Sequence, residues 1–572
     1  MDYSTLYGGG FVTKCENSTA SIIHFQLVNM KNYHSIYGDN IEQLMAALIS
    51  GHVTQLYIHD MNYMSYYFLD WLTRNNIPVN TKGTKQSDAM SYQVFRDSEG
   101  NTYYIKLYMY MSGMRRVIEI KSSHNKTMKS LSKLFHDYRL ELDTDIDINK
   151  LSDATIQLND GDELKYSDME SAWVTAHITA NIMKILKKAG YSKLTISSDA
   201  MSHWLKIEES NNRYHRDDMP ELAPDIEKNL RYAYRGGFNW LNKKYKNIRL
   251  GCGLAYDVNS LYPYVMHYFD LPYGAPEIYY GEVPENKYYV AHVIIGYAKV
   301  KSNGIECISN MQRCNKSAGS IITNEYLPEL EQFECWLTNY DLELLSLNYD
   351  VYSLEMYEVY AFNKTRGWFD AYIDKYYEIK KNASGSKREL AKLMLDSLYG
   401  RFGIKTNKKK SSATLQDGIL KFDNSQNVDN KSVRYLPIAL FITSIARYLL
   451  INTALEIGVD KILYMDTDSI HILGSYFDDE LLHVSKELGD WKIEHVFKNV
   501  KYINLKTYIM DCIDDDENIK TIVKMAGAPD AVREHINWDN FVYGASVDGK
   551  TYTEVVPGGC IRKQCKYTIM DR

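Results

Sequence analysis

The sequence lacks the features that mark several classes of protein. No apolar run reaches the ~18 residues of a membrane-spanning helix, so no membrane span is expected. The N-terminus shows no basic stretch followed by an apolar one, so no secretion signal is expected. The 8 cysteines include no CxxC pair. This pattern favours reduced thiols in a cytosol over a zinc site or a disulfide framework.

Positive charge is not in excess either. The chain carries 66 Lys and Arg against 73 Asp and Glu, which gives a net charge of −7. This balance excludes a wholly basic coat protein. It leaves room for a local basic channel, because nucleic-acid binding depends on where the charge lies.

What the chain does have is length, a globular composition and many tyrosines. Its 572 residues predict about three to five domains. Hydrophobic residues make up 45% and charged residues 24%, which excludes a largely disordered chain. The 49 tyrosines far outnumber the 16 phenylalanines. Tyrosine suits stacking on bases and sugars, and it equally suits half-buried strands.

The spacing of apolar residues predicts the organisation of the chain. The first 190 residues mix strand and helix patterns and form an α/β unit. A β-rich insertion is expected at 270–365, helices at 366–400 and 436–457, and a polar surface hairpin at 404–434.

The strongest local signal is an Asp-Thr-Asp sequence between two apolar runs. The flanking runs predict a hairpin with Asp466 and Asp468 at its tip. Residues two apart on a regular strand share one face, and paired carboxylates are neutralised by a divalent cation. The alternative is a solvated turn without function.

A second carboxylate, Asp257, ends the apolar strand predicted at 254–258. Three carboxylates from two neighbouring strands suit a pair of Mg²⁺ ions about 4 Å apart, the arrangement used for phosphoryl displacement. The alternative is that Asp257 caps the following helix.

The helix predicted at 387–400 carries a basic face. Lys392 and Tyr399 are two helical turns apart and therefore share a face. With Lys380, they are suited to a triphosphate and a nascent base pair. The alternative is an amphipathic helix with a solvated basic face.

Two weaker signals lie elsewhere. Lys506 and Tyr508 alternate on a predicted strand and would face a primer end together. Tyr234 precedes a glycine pair, Gly236 and Gly237, which permits close approach of the backbone to a phosphate chain.

Together, the motifs DVNSLYP, KLMLDSLYG, YMDTDS, KTY and YRGG resemble those of the protein-primed family B DNA polymerases of small tailed bacteriophages. The resemblance runs nearly end to end, from Tyr7 to the segment 555–559. It implies a multidomain α/β + α+β fold, with a ribonuclease-H-like, exonuclease-type N-terminal domain followed by a right-hand palm, fingers and thumb with two insertions. The implied domains are an inactive exonuclease-like domain at 1–190, palm at 191–268 and 437–532, a terminal-protein-region insertion at 269–367, fingers at 368–403, a second insertion at 404–436 and a thumb at 533–572.

The resemblance also implies residue roles. The catalytic residues would be Asp257, Asp466, Asp468 and Lys392. Metal ligands would be Asp257, Asp468 and the carbonyl group of Val258. The nucleotide would be bound by Val258, Tyr262, Lys380, Lys392 and Tyr399, with Tyr262 excluding a ribose 2′-hydroxyl. DNA would be bound by Tyr234, Gly236, Gly237, Lys506 and Tyr508, and single strands by Thr13, Tyr57 and His59.

The chain departs from the family in two places. The family's usual Asn in the fingers helix is Asp396 here. In the N-terminal domain, Gly10 and Val12 replace the first nuclease carboxylates and Met64 the second motif's aspartate. The third motif offers Trp173 and His177, and the helper lysine is Asp143.

Those N-terminal departures predict that no two-metal nuclease operates there. The alternative is that other acids serve as ligands, among them Asp2, Glu16, Asp60 and Asp137.

The expected function is therefore template-directed DNA synthesis, protein-primed and strand-displacing, with Mg²⁺ as cofactor and Mn²⁺ able to substitute. Expected partners are DNA template and primer, deoxynucleoside triphosphates and a terminal protein. No membrane is involved, and the protein acts as a monomer in the cytoplasm of a bacterial host. Two rivals stay open: an RNA-templated polymerase, and a catalytically silent DNA-binding relic. Tyr262 argues against the first, and the intact Asp257, Asp466 and Asp468 argue against the second.

Overall fold

The computed structural model describes residues 3–570, apart from residues 52, 81–89, 98, 112–113, 152–154, 212–216, 284, 316–324, 405–406, 430–433, 475–480 and 515. The N-terminal domain comes first. Its strands are β1 (Leu6–Glu16), β2 (Thr19–Asn29), β3 (Ser35–Gly38), β4 (Gln55–Ile58), β5 (Ser91–Arg96), β6 (Thr102–Met111), β7 (Met114–Ser122) and β8 (Thr155–Leu158). Its helices are α1 (Ile41–Ser50), α2 (Met61–Arg74), α3 (His124–Thr127), α4 (Leu131–Asp137) and α5 (Tyr166–Lys188).

These strands form one mixed sheet in the order β3-β2-β1-β4-β7-β6-β5, with β8 beside β1. Strand β1 is antiparallel to β2 and parallel to β4 and β8. Helix α5 lies directly on β1, because Gly8 and Gly10 carry no side chain there. A Cβ atom on Gly10 would overlap the carbonyl group of Ala172 in α5. The α/β unit expected over the first 190 residues is confirmed.

The chain then enters the central part of the molecule. Its first elements are α6 (Ile196–Ser210), α7 (Pro224–Ala233), β9 (Asn239–Leu241), β10 (Gly253–Val258) and α8 (Leu261–Tyr268). A separate four-stranded sheet follows, ordered β11-β14-β12-β13. Its strands are β11 (Leu271–Tyr280), β12 (Tyr288–Val300), β13 (Glu329–Thr338) and β14 (Tyr349–Thr365). Helix α9 (Asn339–Asn348) connects β13 to β14.

Three helices and a hairpin come next: α10 (Asp370–Asn382), α11 (Gly385–Ser397), α12 (Tyr399–Phe402), β15 (Asn407–Gln416) and β16 (Ile419–Asp429). The helix predicted at 387–400 is thus interrupted, since α11 ends at Ser397 and Tyr399 opens α12. The chain returns to the central sheet through α13 (Leu436–Ile457), β17 (Ile462–Asp466), β18 (Ser469–Leu473), β19 (Trp491–Asn504), β20 (Thr507–Ile513) and β21 (Ile519–Met525). It ends with α14 (Asp530–Arg533), β22 (Ser546–Val556) and β23 (Gly559–Thr568).

The central sheet has the strand order β21-β20-β19-β10-β18-β17-β9. Strand β10 lies between β18 and β19 and is antiparallel to both. The predicted strand at 254–258 and the predicted hairpin around Asp466 are therefore confirmed, and they are neighbours in one sheet.

Helix α13 is the core helix of the central part. It is long and apolar enough to cross a membrane by length and composition alone, yet 72% of its most apolar window is buried inside the protein. Leu440, Phe441 and Ile445 are fully buried in the largest hydrophobic cluster. The apolar sequence of α13 therefore matches its buried position, and the buried helix supports the central sheet.

The C-terminal hairpin of β22 and β23 returns to the N-terminal domain. The Tyr67 hydroxyl of α2 donates to the carbonyl oxygen of Cys560 at 2.7 Å. The amide of Ala20 donates to the carbonyl oxygen of Pro557 at 2.9 Å. The last strands of the chain are thereby fixed to the first domain.

Candidate active site

Asp468 lies in a tight turn, not on a strand. Strand β17 ends at Asp466 and β18 begins at Ser469, so Thr467 and Asp468 form the connection. Thr467 has a φ of 61°. The main-chain oxygen of Asp468 accepts a hydrogen bond from the amide of Val258 at 2.8 Å. The prediction that Asp466 and Asp468 share one face of a regular strand is therefore wrong, because the turn separates their directions.

Asp257 lies beside that turn at the end of β10. It is opposite Ser469 on β18 and opposite Lys492 on β19. Its carboxylate pairs with the ammonium group of Lys492. Burial raises the pKa of Asp257, and Lys492 opposes that rise. The alternative that Asp257 caps the next helix is excluded, since Ser260 takes the position before α8.

Asp257 and Asp468 crowd each other. Burial, then the charge of Asp257, raises the pKa of Asp468 to about 7. Two desolvated carboxylates that repel each other provide the hard oxygen donors that Mg²⁺ and Mn²⁺ prefer. The donor set at these two residues therefore fits a divalent cation.

The Asp466 carboxylate is held by neighbouring side chains. Its carboxylate accepts a hydrogen bond from the Tyr464 hydroxyl at 3.0 Å and pairs with Lys506 Nζ at 3.1 Å. Across the part of the chain that the structure describes, no group of three or more His, Cys, Asp or Glu side chains is arranged to hold a metal ion. The grouping of Asp257, Asp466 and Asp468 around metal ions stays a prediction.

Lysines from the helices face the carboxylates. Lys380 on α10 donates to the Ser260 hydroxyl at 2.7 Å, and burial lowers its pKa. Lys392 on α11 interacts electrostatically with Asp257 and Asp396. Asp396 retains accessible surface, yet the walls of the cleft desolvate it and raise its pKa.

Two tyrosines form the floor of the same cleft. The rings of Tyr262 on α8 and Tyr399 on α12 have centroids 4.3 Å apart. Both are half-buried, and burial raises the pKa of each hydroxyl. The break before α12 therefore leaves Tyr399 in the cleft, stacked against Tyr262.

The glycine pair supports the carboxylate turn. A Cβ atom on Gly237 would lie 2.5 Å from Thr467 Oγ1, whereas one on Gly236 would meet nothing within 4 Å. The amide of Thr467 donates to the carbonyl oxygen of Phe238 at 2.7 Å. Gly237 is therefore required by the turn, and only Gly236 leaves open space. Tyr234 lies behind them, against Gly403.

Sequence reasoning missed a buried ion pair that holds this segment. Arg447 on α13 pairs with Asp341 on α9 at 2.8 Å, and both side chains are buried. Arg447 also donates to the carbonyl oxygens of Arg235 and Gly236. The sequence did contain a signal for this ion pair, since Arg447 is a single arginine inside the apolar pattern of 436–457.

Lys506 and Tyr508 do not share a strand face. Lys506 lies in the turn before β20, with a φ of 54°. Tyr508 packs against Tyr464, Tyr502 and His471. The expectation of a common face is wrong, because β20 begins only at Thr507.

Comparison with known proteins decides the family. The family described as "DNA polymerase type B, organellar and viral" matches residues 174–486. The DNA polymerases of Bacillus phages PZA and phi29 are each 31% identical over 588 aligned residues, covering 99% of both chains. The chain belongs to the organellar and viral type B DNA polymerases. It is a DNA-directed DNA polymerase of the phage type, and a DNA polymerase from Streptococcus phage Cp-1 is 32% identical over 69% of this chain and 70% of that one.

Solved structures agree with this family. Phi29 DNA polymerase complexed with primer-template DNA and incoming nucleotide substrates superposes with a TM-score of 0.87 at 30% identity, covering 99% of both chains. The same polymerase complexed with single-stranded DNA gives a TM-score of 0.86 at 29% identity. This chain therefore has the multidomain α/β fold of a type B polymerase.

The N-terminal domain of this type B polymerase has no cluster of carboxylates at the nuclease positions. Gly10 is covered by α5, and Val12 and Met64 are fully buried. His177 packs against Trp173, with ring centroids 3.9 Å apart and the ring planes tilted by 44°. Asp143 is exposed.

The acids proposed as substitutes are scattered. Asp60 pairs with Arg562 of the C-terminal hairpin, Asp137 with Lys129, and Glu16 with Lys14. Asp2 lies outside the described residues. Among the described residues, these acids therefore do not belong to a group of three or more side chains that could hold a metal ion.

The side chains predicted to bind single strands are buried. Thr13 is fully buried beside the Tyr63 hydroxyl at 3.2 Å. Tyr57 donates to Gln55 at 3.0 Å, and His59 Nδ1 lies 3.1 Å from the Ser123 hydroxyl. Thr13, Tyr57 and His59 are therefore enclosed by the domain, and their contact with single strands stays a prediction.

Proposed function

We propose that this type B polymerase is a Mg²⁺-dependent, protein-primed, strand-displacing enzyme without proofreading. The observation that carries the proposal is the placement of Asp257 and Asp468 at adjacent strand ends, facing Lys380 and Lys392 across one cleft. Carboxylates opposite lysines suit a metal-bound triphosphate.

Asp257, Asp468 and the carbonyl group of Val258 would hold Mg²⁺, or Mn²⁺ in its place. The bound metal supplies Lewis-acid stabilisation of the charge that develops on the phosphate oxygens. Asp466 acts behind them, and its pairing with Lys506 fixes the turn.

The lysines act on the triphosphate. The primer 3′-hydroxyl loses its proton to solvent as its oxygen bonds to the α-phosphorus, and the bond from that phosphorus to the pyrophosphate oxygen breaks. Lys380 and Lys392 are placed to stabilise the negative charge of the departing pyrophosphate. Burial of Lys380 strengthens this interaction, because fewer waters screen it.

The tyrosine floor orients the nucleotide. Tyr262 would pack beneath the deoxyribose, where a 2′-hydroxyl meets its ring, and Tyr399 would line the nascent pair. Their mutual packing holds both rings in place. Tyr234, Gly236 and Gly237 would face the template, and Lys506 and Tyr508 the primer terminus.

Protein priming would use the two inserted units. The four-stranded sheet within 269–367 would form part of the docking surface for a terminal protein, whose hydroxyl begins synthesis. The hairpin within 404–436 would close around DNA. The enzyme would act as a monomer in the cytoplasm of a bacterial host, with the palm, fingers and thumb bounded as the resemblance implies.

Absence of proofreading follows from the N-terminal domain. Hydrolysis at a 3′ end by two metals needs grouped carboxylates. The positions expected to supply them hold Gly10, Val12, Met64 and His177, and the neighbouring acids are engaged in scattered ion pairs.

The test is primer extension with Mg²⁺, scored beside degradation of an unpaired 3′ end. We expect extension by the wild type and a loss of at least ~10³-fold for Asp257→Ala, since a ligand of the metal is removed. Asp466→Ala should lose less, because its carboxylate faces Lys506. Extension by Asp257→Ala within tenfold of wild type would refute the assignment of the site.

A further inference from the structure

Lys492 is the cation in the candidate active site that no motif explains. It lies on β19 directly opposite Asp257, in register across two antiparallel strands. Its ammonium group pairs with the Asp257 carboxylate. Lys492 therefore contacts a carboxylate oxygen of Asp257, a residue that would hold the metal.

The reach of Lys492 extends beyond one partner. Its charge acts on Asp257, Asp396 and Asp468. Asp396 is the carboxylate that stands where the resemblance leads us to expect an amide. The cleft therefore contains Asp396 in addition to the carboxylates that the motif requires. The charge of Lys492 acts on all three acids.

Two properties make Lys492 able to move. Its side chain is 44% exposed, whereas that of Asp257 is 16% exposed. A lysine head on a flexible stem needs no fixed geometry to satisfy a carboxylate. Two further lysines of the site have other partners: Lys380 donates to Ser260, and Lys506 pairs with Asp466.

We propose that Lys492 is a positioning residue of the polymerase centre, a built-in counter-ion that balances Asp257, Asp468 and the additional Asp396, and that a divalent cation must displace from Asp257. This inference rests on the proposed function of the site. It predicts that Lys492 weakens metal binding before nucleotide arrives and keeps the acids correctly placed while no metal is bound.

The direct test is Mn²⁺ binding to the nucleotide-free and DNA-free protein, measured from the electron paramagnetic resonance signal of free Mn²⁺. Lys492→Gln should bind Mn²⁺ about three- to tenfold more tightly, because a competing charge is removed at a partly exposed site. Lys492→Arg, which keeps the charge, should stay within about twofold of wild type. Asp257→Ala should abolish the tightest binding, which identifies the site being measured.

The coupling to Asp396 is tested by a double-mutant cycle. Asp396→Asn should weaken Mn²⁺ binding, and the double variant Asp396→Asn with Lys492→Gln should return to within about twofold of wild type. Lys498→Gln is the matched control. It removes the same charge from the same strand six positions away, about 20 Å along β19, so it should leave Mn²⁺ binding unchanged.

Each outcome decides a separate point. Equal Mn²⁺ affinity for wild type and Lys492→Gln, or the same shift in Lys498→Gln, would overturn the proposal. A double variant that remains as tight as Lys492→Gln would remove Asp396 from it. If Asp257→Ala extends primers normally, the proposed metal site fails instead, whatever Lys492 does. The half-saturating Mg²⁺ concentration for extension should fall in Lys492→Gln, in parallel with Mn²⁺ binding.

Discussion

The central sheet and the N-terminal sheet differ in what their strands carry at the predicted metal-binding positions. In the central sheet, β10 and the turn before β18 bring Asp257 and Asp468 together and leave them facing a cleft with lysines. In the N-terminal domain, the corresponding strand β1 carries Gly10 beneath α5 and Val12 in the core. The central sheet thus brings two carboxylates close together, whereas β1 has small or apolar residues that pack closely against the rest of its domain.

The C-terminal hairpin completes this contrast. Arg562 pairs with Asp60, donates to the carbonyl oxygen of Thr155 at 2.9 Å, and lies 4.3 Å from the Tyr63 ring centroid. The guanidinium group of Arg562 thus lies beside Asp60, at the start of α2. In the central sheet, acids from neighbouring strands lie together beside lysines, whereas in the N-terminal domain Asp60 pairs with an arginine of the C-terminal hairpin.

The largest expected effect separates the two regions by their acids. Asp468→Ala should reduce extension by at least ~10³-fold, since a carboxylate that would hold the metal is lost. Asp60→Ala should leave the rate of single-nucleotide addition within about threefold, because its partner is Arg562. Both are measured by rapid-quench primer extension, with melting curves to confirm folding.

Degradation of a 5′-labelled single strand completes that measurement. We expect none with Mg²⁺ or Mn²⁺ in wild type or in either variant. Stepwise shortening that Asp60→Ala removes and Asp468→Ala leaves would show a working nuclease site and break the comparison.

Acid sensitivity should instead be shared by the two regions. Burial, then a neighbouring histidine, lowers the pKa of His59 and of His471 to about 3. An unfolded histidine titrates near 6.5, so below that pH the unfolded chain binds more protons. Stability is then lost as pH falls from about 6.5 towards 3, at roughly 1.4 kcal/mol per pH unit for each histidine.

The measurement is the melting temperature between pH 7 and 4. The melting temperature should fall less steeply with pH in His59→Asn and in His471→Asn. The difference from wild type should correspond to one proton fewer taken up on unfolding. Identical slopes for wild type and both variants would contradict neutral burial of these side chains.

Glycine packing offers a finer comparison. Gly10→Ala should destabilise the protein by about 1–3 kcal/mol, since its Cβ meets rigid backbone, while extension per folded molecule stays unchanged. Gly237→Ala meets only the Thr467 side chain. It should cost less stability but slow extension by about tenfold, through the displaced turn.

Gly236→Ala is the matched control for stability, because its Cβ meets open space. Its melting temperature should equal that of wild type. A Gly237→Ala variant that keeps the wild-type rate would show that the turn tolerates movement of Thr467.

The last prediction concerns the aromatic pairs of the two regions. Tyr262→Val removes the ring beneath the sugar and should raise ribonucleotide use relative to deoxyribonucleotide by about tenfold or more. Tyr67→Phe, from the Tyr63–Tyr67 pair of the N-terminal domain, should leave that ratio unchanged. An unaltered ratio in Tyr262→Val would place sugar selection elsewhere.

The sequence was sufficient for elements whose signal is local. Apolar runs ending in Asp257 and Asp466 predicted the strands and the hairpin, because strand patterning is a property of neighbouring residues. The direction of each carboxylate was not predictable in this way. It depends on the left-handed Thr467 and on the hydrogen bond from Val258, which join segments more than 200 positions apart.

Burial was the other quantity that motifs could not supply. Thr13, Tyr57 and His59 fall in strand-like sequence, but only contacts with other elements, such as that of Thr13 with Tyr63 on α2 and that of His59 with Ser123, determine that they are enclosed. Lys492 was missed for a similar reason, since its importance comes from the strand that lies opposite it.

The contact between Gly10 and Ala172 also limits what later substitutions can achieve. A carboxylate at position 10 needs a Cβ atom where the carbonyl group of α5 already lies. The substitution Gly10→Asp adds the carboxylate but does not by itself move a 23-residue helix away from the strand. Any lineage descending from this sequence would have to shift the helix before the acid could return, so reversal at this position requires ordered, concerted changes.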